Sequence, residues 1–187
     1  MKKDGIVRDA LILFLITFVL SLLLSRVKVM TQGRIDMINE QTLKKAYVSV
    51  CDNYYRSEDV TSQIVNNLNI SRASLRNCNV VYNLNEEKCG YVVSVDIAGY
   101  GGNINVLVGF TVDGDISGIE FPESLQETPG IGMRVLNEDF KNSFKGLNYD
   151  NVDNVDTLTG ATISSTAVLD AVSLATDCVN KMKSRGM

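Results

Sequence analysis

The sequence predicts an α+β domain, an antiparallel sheet with helices packed on one face, preceded by a single N-terminal transmembrane helix. Three observations carry that prediction. A Leu-rich run without charge opens the chain, short β-branched runs separated by turn residues fill its middle, and a stripe of apolar residues at helical spacing closes it.

From Ala10 to Ser25 run sixteen residues without a charge, which as a helix rise roughly 24 Å. Ile6, Val7, Val27 and Val29 extend the apolar length, and Arg8 and Arg26 can snorkel from either end, so a span of about 20 residues is expected. A cleaved signal peptide also begins with Lys2 and Lys3 ahead of a Leu-rich stretch. The pattern after it is wrong for cleavage: Leu23 and Ser25 occupy the small-residue positions and Arg26-Val27-Lys28 follows directly, which favours an uncleaved anchor over residues 1–28. Lys2, Lys3 and Arg8 on one side face Arg26, Lys28 and Arg34 on the other, so charge does not choose the orientation.

Residues 29 to about 70 mix apolar residues and charges at loose helical spacing, as in Leu43, Ala46, Tyr47 and Val50; two helices are expected there, with residues 29–40 as a tether. Val80–Tyr82, Tyr91–Ile97, Ile104–Phe110 and Ile116–Phe121 read as strands. Asn83–Glu87, Gly99-Tyr100-Gly101-Gly102-Asn103 and Asp113-Gly114 lie between them as turns, which makes the strands an antiparallel meander. Val168, Val172, Ala175, Val179 and Met182 step by four, three, four and three along one face of a last helix and form a core stripe.

Composition removes whole function classes. Among 187 residues there is no histidine, so Ser-His-Asp catalysis, Cys-His nucleophiles, and His-ligated zinc or haem are closed to this chain alone. The formal charge is −4; the first 28 residues hold five basic and two acidic side chains, leaving 13 basic and 20 acidic, net −7, beyond them. An acidic domain without tryptophan or a basic block gains nothing from a phosphate backbone, so no nucleic-acid partner is expected. Cys51, Cys78, Cys89 and Cys178 include no C-x-x-C pair, which argues against a zinc ribbon or ferredoxin-type cluster. Cys78 and Cys89 flank the first hairpin; a disulfide between them and a pair of free thiols fit the residues alike.

The chemistry lies just before the last helix, in Asp156-Thr157-Leu158-Thr159-Gly160-Ala161-Thr162-Ile163-Ser164-Ser165-Thr166. A helix N-terminus presents free N–H groups and positive dipole, so a phosphate sits there favourably and small residues let it approach. Ser164 or Ser165 acting as a plain helix cap accounts for the same cluster. It is not a P-loop, since no Gly-Lys-Ser/Thr ending is present.

That run resembles the flavinylation signature Asp-x-x-Ser/Thr-Gly-Ala-Thr-x-Ser/Thr of the FMN-binding domains in Rnf G subunits and in the C subunit of Na⁺-pumping NADH:quinone reductase. Every defined position matches. Glu127-Thr128-Pro129-Gly130-Ile131-Gly132 resembles the family's Glu-Thr-Pro-Gly-x-Gly loop, and Gly99-Tyr100-Gly101-Gly102 its glycine turn. With the anchor, these features cover nearly the whole chain. Gln126 stands where the family often has His, which removes a proton-relay candidate, and the chain is nearer in length to Rnf G subunits than to the longer C subunits.

The resemblance implies a cytoplasmic-membrane, single-pass protein with its N-terminus in the cytoplasm and residues 29–187 as an extracytoplasmic FMN-binding domain. It implies FMN, transferred from FAD by a flavin transferase that recognises Asp156, held by a phosphoester to Thr162. Thr159, Gly160, Ala161, Ser164 and Ser165 would surround the phosphate, with Glu127 and Thr128 as polar contacts and Gly130 and Gly132 allowing close approach of the flavin ring. No catalytic acid, base or metal ligand is expected of this chain. Its partners would be the other integral and peripheral Rnf subunits, in a complex coupling ferredoxin and NAD redox chemistry to Na⁺ or H⁺ movement. A tethered FMN-binding sensor outside such a complex would carry the same motif.

Overall fold

A computed structural model describes residues 3–51, 53–64 and 73–186. Two compact units are distinguished, Met1–Gln41 and Thr42–Met187. The first is the greater part of helix α1 (Lys3–Val50). Within it Arg8–Gln32, 25 residues of mean hydropathy 2.5, is long and apolar enough to cross a membrane by length and composition. Its Leu and Phe side chains are exposed throughout, as Leu13, Phe14 and Leu24 show. Thr17 and Ser21 return their hydroxyls to carbonyls one turn back, which satisfies those hydroxyls within the helix.

The second unit holds a five-stranded antiparallel sheet in the order β1 (Arg56–Asp59), β2 (Ala73–Tyr82), β3 (Lys88–Ala98), β4 (Asn103–Phe110), β5 (Ile116–Glu120). Chain order and spatial order coincide, as the meander reading requires. The turn residues do their expected work: Asn83 accepts from the N–H groups of Asn85 and Glu87, and Gly114 takes φ +91° between β4 and β5.

After a single turn α2 (Thr61–Ile64) and a short α3 (Glu138–Asn142), the last helix α4 (Thr162–Ser184) lies across β3 and β4. Its predicted stripe is the seam: Val168, Val172, Ala175 and Met182 are fully buried and Val179 nearly so. Against them stand Val93, Val95, Val106 and Val108, each worth roughly 1.5–3 kcal/mol on full burial. Lys181 and Lys183 in the last turn complement the dipole, and Gly186 at φ +75° ends the helix. The opposite sheet face has its own smaller core, in which Ala46, Tyr47, Val50 and Cys51 pack on Val81, Val92 and Leu107.

Two expectations are corrected. The two helices read between residues 29 and 70 are, among the described residues, the continuation of α1 to Val50 and the single turn α2; positions 65–72 lie outside the described residues. Between them Arg56-Ser57-Glu58-Asp59 forms edge strand β1. Charged residues suit a sheet edge because they discourage pairing with other chains, and for the same reason they carry no strand signature.

Cys78 and Cys89 also do not face each other. Cys78 pairs with Val93 across the β2–β3 ladder and points into the α4 core beside Cys178, whereas Cys89 packs on the other face. The contact with Cys178, together with burial, pushes the Cys78 thiol up, so it stays protonated and inert.

Candidate functional site

Three segments far apart in sequence meet at one end of the sheet: the Gly99–Gly102 turn joining β3 to β4, the Glu127–Gly132 loop after β5, and the run into α4. Each is held locally. Gly99 N–H closes its turn on Gly102 O at 2.8 Å. The carbonyl of Thr128 accepts from both Ile131 and Met133 N–H at 3.2 Å, folding the Pro-Gly loop into a 3-10 turn over Gly132–Leu136. Ahead of α4, Leu158 O accepts from Ala161 N–H at 2.9 Å, with Gly160 at φ +84° where a side chain would be strained.

Glu127 ties the three together. It is 5% exposed, and its carboxylate accepts from the Ser164 hydroxyl at 2.6 Å and from Gly101 N–H at 3.1 Å. The glycines around it are the room it occupies: a Cβ on Gly99 would collide with Oε1, and one on Gly132 would lie 2.6 Å from Oε2 and 3.1 Å from the Ser164 hydroxyl. Two glycine motifs that read as separate turns therefore enclose one side chain. Both Glu127 oxygens are taken by protein donors, so the structure gives Glu127 the part of an internal clamp instead of a group presented to a ligand.

Ser165 performs the same office on the other side of the loop. It is fully buried, its hydroxyl accepts from Leu158 N–H at 3.0 Å and donates to Ala161 O at 2.9 Å. Neither Ser164 nor Ser165 is the helix cap. That position belongs to Ala161, which has no side-chain acceptor to offer, so the first N–H groups of α4 keep no side-chain cap. Arg134, without an acidic partner among the described residues, donates to Thr159 O at 2.7 Å.

Thr162 is the first residue of α4 and is exposed; among the described residues its hydroxyl has no hydrogen-bond partner. It borders a hollow of about 440 Å³ shared with Tyr100, Thr128, Ile131, Gly160 and Ile163. That volume lies in the ~300–1,000 Å³ range of small-molecule sites. Thr162 and Ile163 also border a smaller hollow of about 200 Å³ reaching Asp170.

Of the residues singled out from sequence, Thr128, Gly132, Gly160, Ala161, Thr162 and Ser164 line the larger hollow. Glu127 and Ser165 lie behind it as struts, while Asp156, Thr159 and Gly130 stand outside its lining. Sequence reading missed its apolar walls, Tyr100, Ile131 and Ile163, which are 68%, 50% and 57% exposed. The signal for Tyr100 and Ile131 was available: each is a large apolar residue inside a glycine turn, where polar residues are usual. The arrangement offers a free hydroxyl at an uncapped helix N-terminus, beside an open and mainly apolar hollow. It suits a ligand with an anionic phosphate and a flat apolar ring.

Residues 99–177, a stretch containing all three converging segments, match the FMN-binding domain family. The G subunit of the Na(+)-translocating ferredoxin:NAD(+) oxidoreductase complex of Acetobacterium woodii is 31% identical over 181 residues, covering 88% of this chain and 87% of that protein. The G subunit of the proton-translocating ferredoxin:NAD(+) oxidoreductase complex of Clostridium ljungdahlii is 38% identical over 99 residues, 48% of this chain. There the match spans about half of the relative's length, 52%. Among solved structures, the C subunit of the Na(+)-translocating NADH-quinone reductase of Parabacteroides distasonis has a TM-score of 0.51 at 17% identity, over 76% of this chain and 96% of that one. That likeness shows the shared fold.

Proposed function

The chain belongs to the family of G subunits of ion-translocating ferredoxin:NAD(+) oxidoreductase complexes, and from that premise we propose that it is a membrane-anchored electron carrier holding one FMN by a phosphoester to Thr162. The single observation that carries the attachment point is the exposed, unpartnered Thr162 hydroxyl at a helix start without a side-chain cap, on the edge of the 440 Å³ hollow.

The residues fit the group. The N–H groups of the first turn of α4 would meet the phosphate, and the dipole would offset its charge by ~0.3–1 kcal/mol. Arg134, fixed to the carbonyl of Thr159, adds a cation to the same neighbourhood. Tyr100, Ile131 and Ile163 supply the apolar surface on which an isoalloxazine would rest. Bound there, FMN supplies one-electron and two-electron redox chemistry; the protein supplies position and electrostatics. No acid or base of this chain needs to act.

Attachment is a phosphoryl transfer. With FAD as donor, the Thr162 hydroxyl would be the acceptor, a P–O ester bond replacing the pyrophosphate P–O bond with release of AMP and the hydroxyl proton. A flavin transferase would catalyse it, recognising the exposed Asp156. Arg8–Gln32 would anchor the chain in the cytoplasmic membrane as a single pass, with the flavin domain outside. The chain would then relay electrons among the other subunits of a complex that moves Na⁺ or H⁺.

The test is co-expression with a flavin transferase followed by a denaturing gel and intact-mass measurement. The reading requires a fluorescent band, a mass increased by one FMN less one water, and loss of both in Thr162→Ala. A wild-type chain that stays dark and unmodified rejects it. Co-purification with integral membrane subunits then separates an electron carrier from a solitary flavin-binding sensor.

A further inference from the structure

The four cysteines form two pairs on opposite faces of the sheet, and the pairs differ in what can reach them. Cys78 on β2 and Cys178 on α4 are fully buried between sheet and helix. Cys51 and Cys89 lie in the smaller core, with their sulfurs 3.8 Å apart. Cys51 follows directly on the last residue of α1 and is 3% exposed, whereas Cys89, the second residue of β3, is only half-buried. The Cys89 thiol donates to Val81 O at 3.5 Å.

A sulfur separation of 3.8 Å is too long for a bond of about 2.05 Å, yet rotation of either side chain about its Cα–Cβ axis can close such a gap between suitably placed backbones. We propose that Cys51 and Cys89 are a modification site, closing into a reversible disulfide that ties the end of α1 to the start of β3. The oxidant is of the disulfide class, R–S–S–R. The Cys89 thiolate attacks one of its sulfurs, the R–S–S–R bond breaks, and one thiol, RSH, leaves with a mixed disulfide on Cys89. The Cys51 thiolate then attacks the Cys89 sulfur and displaces the second RSH. Two electrons pass to the oxidant, and the two cysteine protons end on the two released thiols.

The order of attack follows from exposure: Cys89 is the one of the pair reachable from solvent, and Cys51 stands behind it to resolve the intermediate. The bond would tie the segment just after α1 to the sheet that bears the flavin site, both within the second unit. Cys89 lies at the start of β3, directly after Lys88, and Gly99 follows its end, roughly 30 Å apart along an extended strand, so the crosslink leaves flavin attachment unaltered. This inference rests on the sulfur geometry and is independent of the flavin reading.

The experiment treats the full chain in detergent with oxidised glutathione or with a phosphine reductant, then denatures it in an alkylating reagent for intact mass and peptide mapping. Expected is a product that has lost two hydrogens and two alkylations, with a linked peptide pair carrying Cys51 and Cys89, and with Cys78 and Cys178 alkylated in both samples. Cys51→Ser, which lacks the resolving thiol, should instead retain glutathione on Cys89. Four alkylations after oxidation, a link through Cys78 or Cys178, or a Cys51→Ser chain without glutathione overturns the proposal. Equal FMN mass with and without the link is the further expected result, and a loss of FMN on oxidation would contradict the separation of the two sites.

Discussion

Replacing Glu127 by alanine should damage the domain far more than its place in a surface loop suggests. The substitution leaves the Ser164 hydroxyl, 2% exposed, and Gly101 N–H without their acceptor, and it opens a void between Gly99 and Gly132. Hydrogen bonds to a charged group contribute ~1.5–3 kcal/mol each, so losing two costs about 3–6 kcal/mol. For a domain of this size that lowers Tm by about 10–20 °C. Glu127→Gln is the informative control. The amide oxygen can still accept from Gly101 N–H while the amide nitrogen donates to a reoriented Ser164 hydroxyl, so a cost of about 1 kcal/mol and 3 °C is expected. Thermal unfolding followed by circular dichroism, with FMN occupancy measured by intact mass on the same samples, reads both effects. The alanine variant should be unstable and poorly flavinylated, the glutamine variant close to wild type. An alanine variant that melts within about 2 °C of wild type with full occupancy would refute the clamp.

Other substitutions discriminate between neighbours. Gly132→Ala forces a methyl group against the Glu127 carboxylate and the Ser164 hydroxyl and should cost about 1–3 kcal/mol, whereas Gly130→Ala, at φ +74° with nothing within 4 Å, should cost only about 1 kcal/mol from backbone strain; denaturant titration of both tests the contrast. Ser165→Ala strands the half-buried Leu158 N–H and should lose about 1–2 kcal/mol by the same measurement. Thr162→Ala, by contrast, removes an exposed hydroxyl with no partner and should shift unfolding by less than about 0.5 kcal/mol while abolishing covalent flavin. Burial, with Tyr54 nearby, pushes the Tyr47 hydroxyl from 10.0 up to about 12. A raised folded value means stability is fully present below pH 10 and is lost as pH climbs toward 12, by roughly 2–3 kcal/mol; Tyr47→Phe should flatten that part of the stability profile.

The sheet was legible where its strands carry β-branched residues on both faces, as in Tyr91–Ile97 and Ile104–Phe110, because two-sided burial leaves a continuous apolar run. Edge strand β1 was not, since Arg56-Ser57-Glu58-Asp59 is chosen for solvent, and the first half of β2, with Arg76 and Asn77, hides for the same reason. Cysteine pairing could not be read because register shifts in the β2–β3 ladder decide which face each residue takes. At the site, the run into α4 that borders the larger hollow was legible from its hydroxyls and glycine. The work of Glu127 was not, because its burial is made by glycines 28 positions before it and 5 after it, and no local pattern announces a tertiary cradle.

Because each strand pairs with its neighbour in the chain, the sheet can zip up hairpin by hairpin, with low contact order and little search. Helix α4 is the exception, since it must fold back over β3 and β4 after the sheet has been synthesised. The Thr162 hydroxyl on its first residue is thus the last part of the site to reach its place. On the proposed attachment, acquiring FMN would certify completed folding, and yellow colour would distinguish mature molecules from unfinished ones during biogenesis.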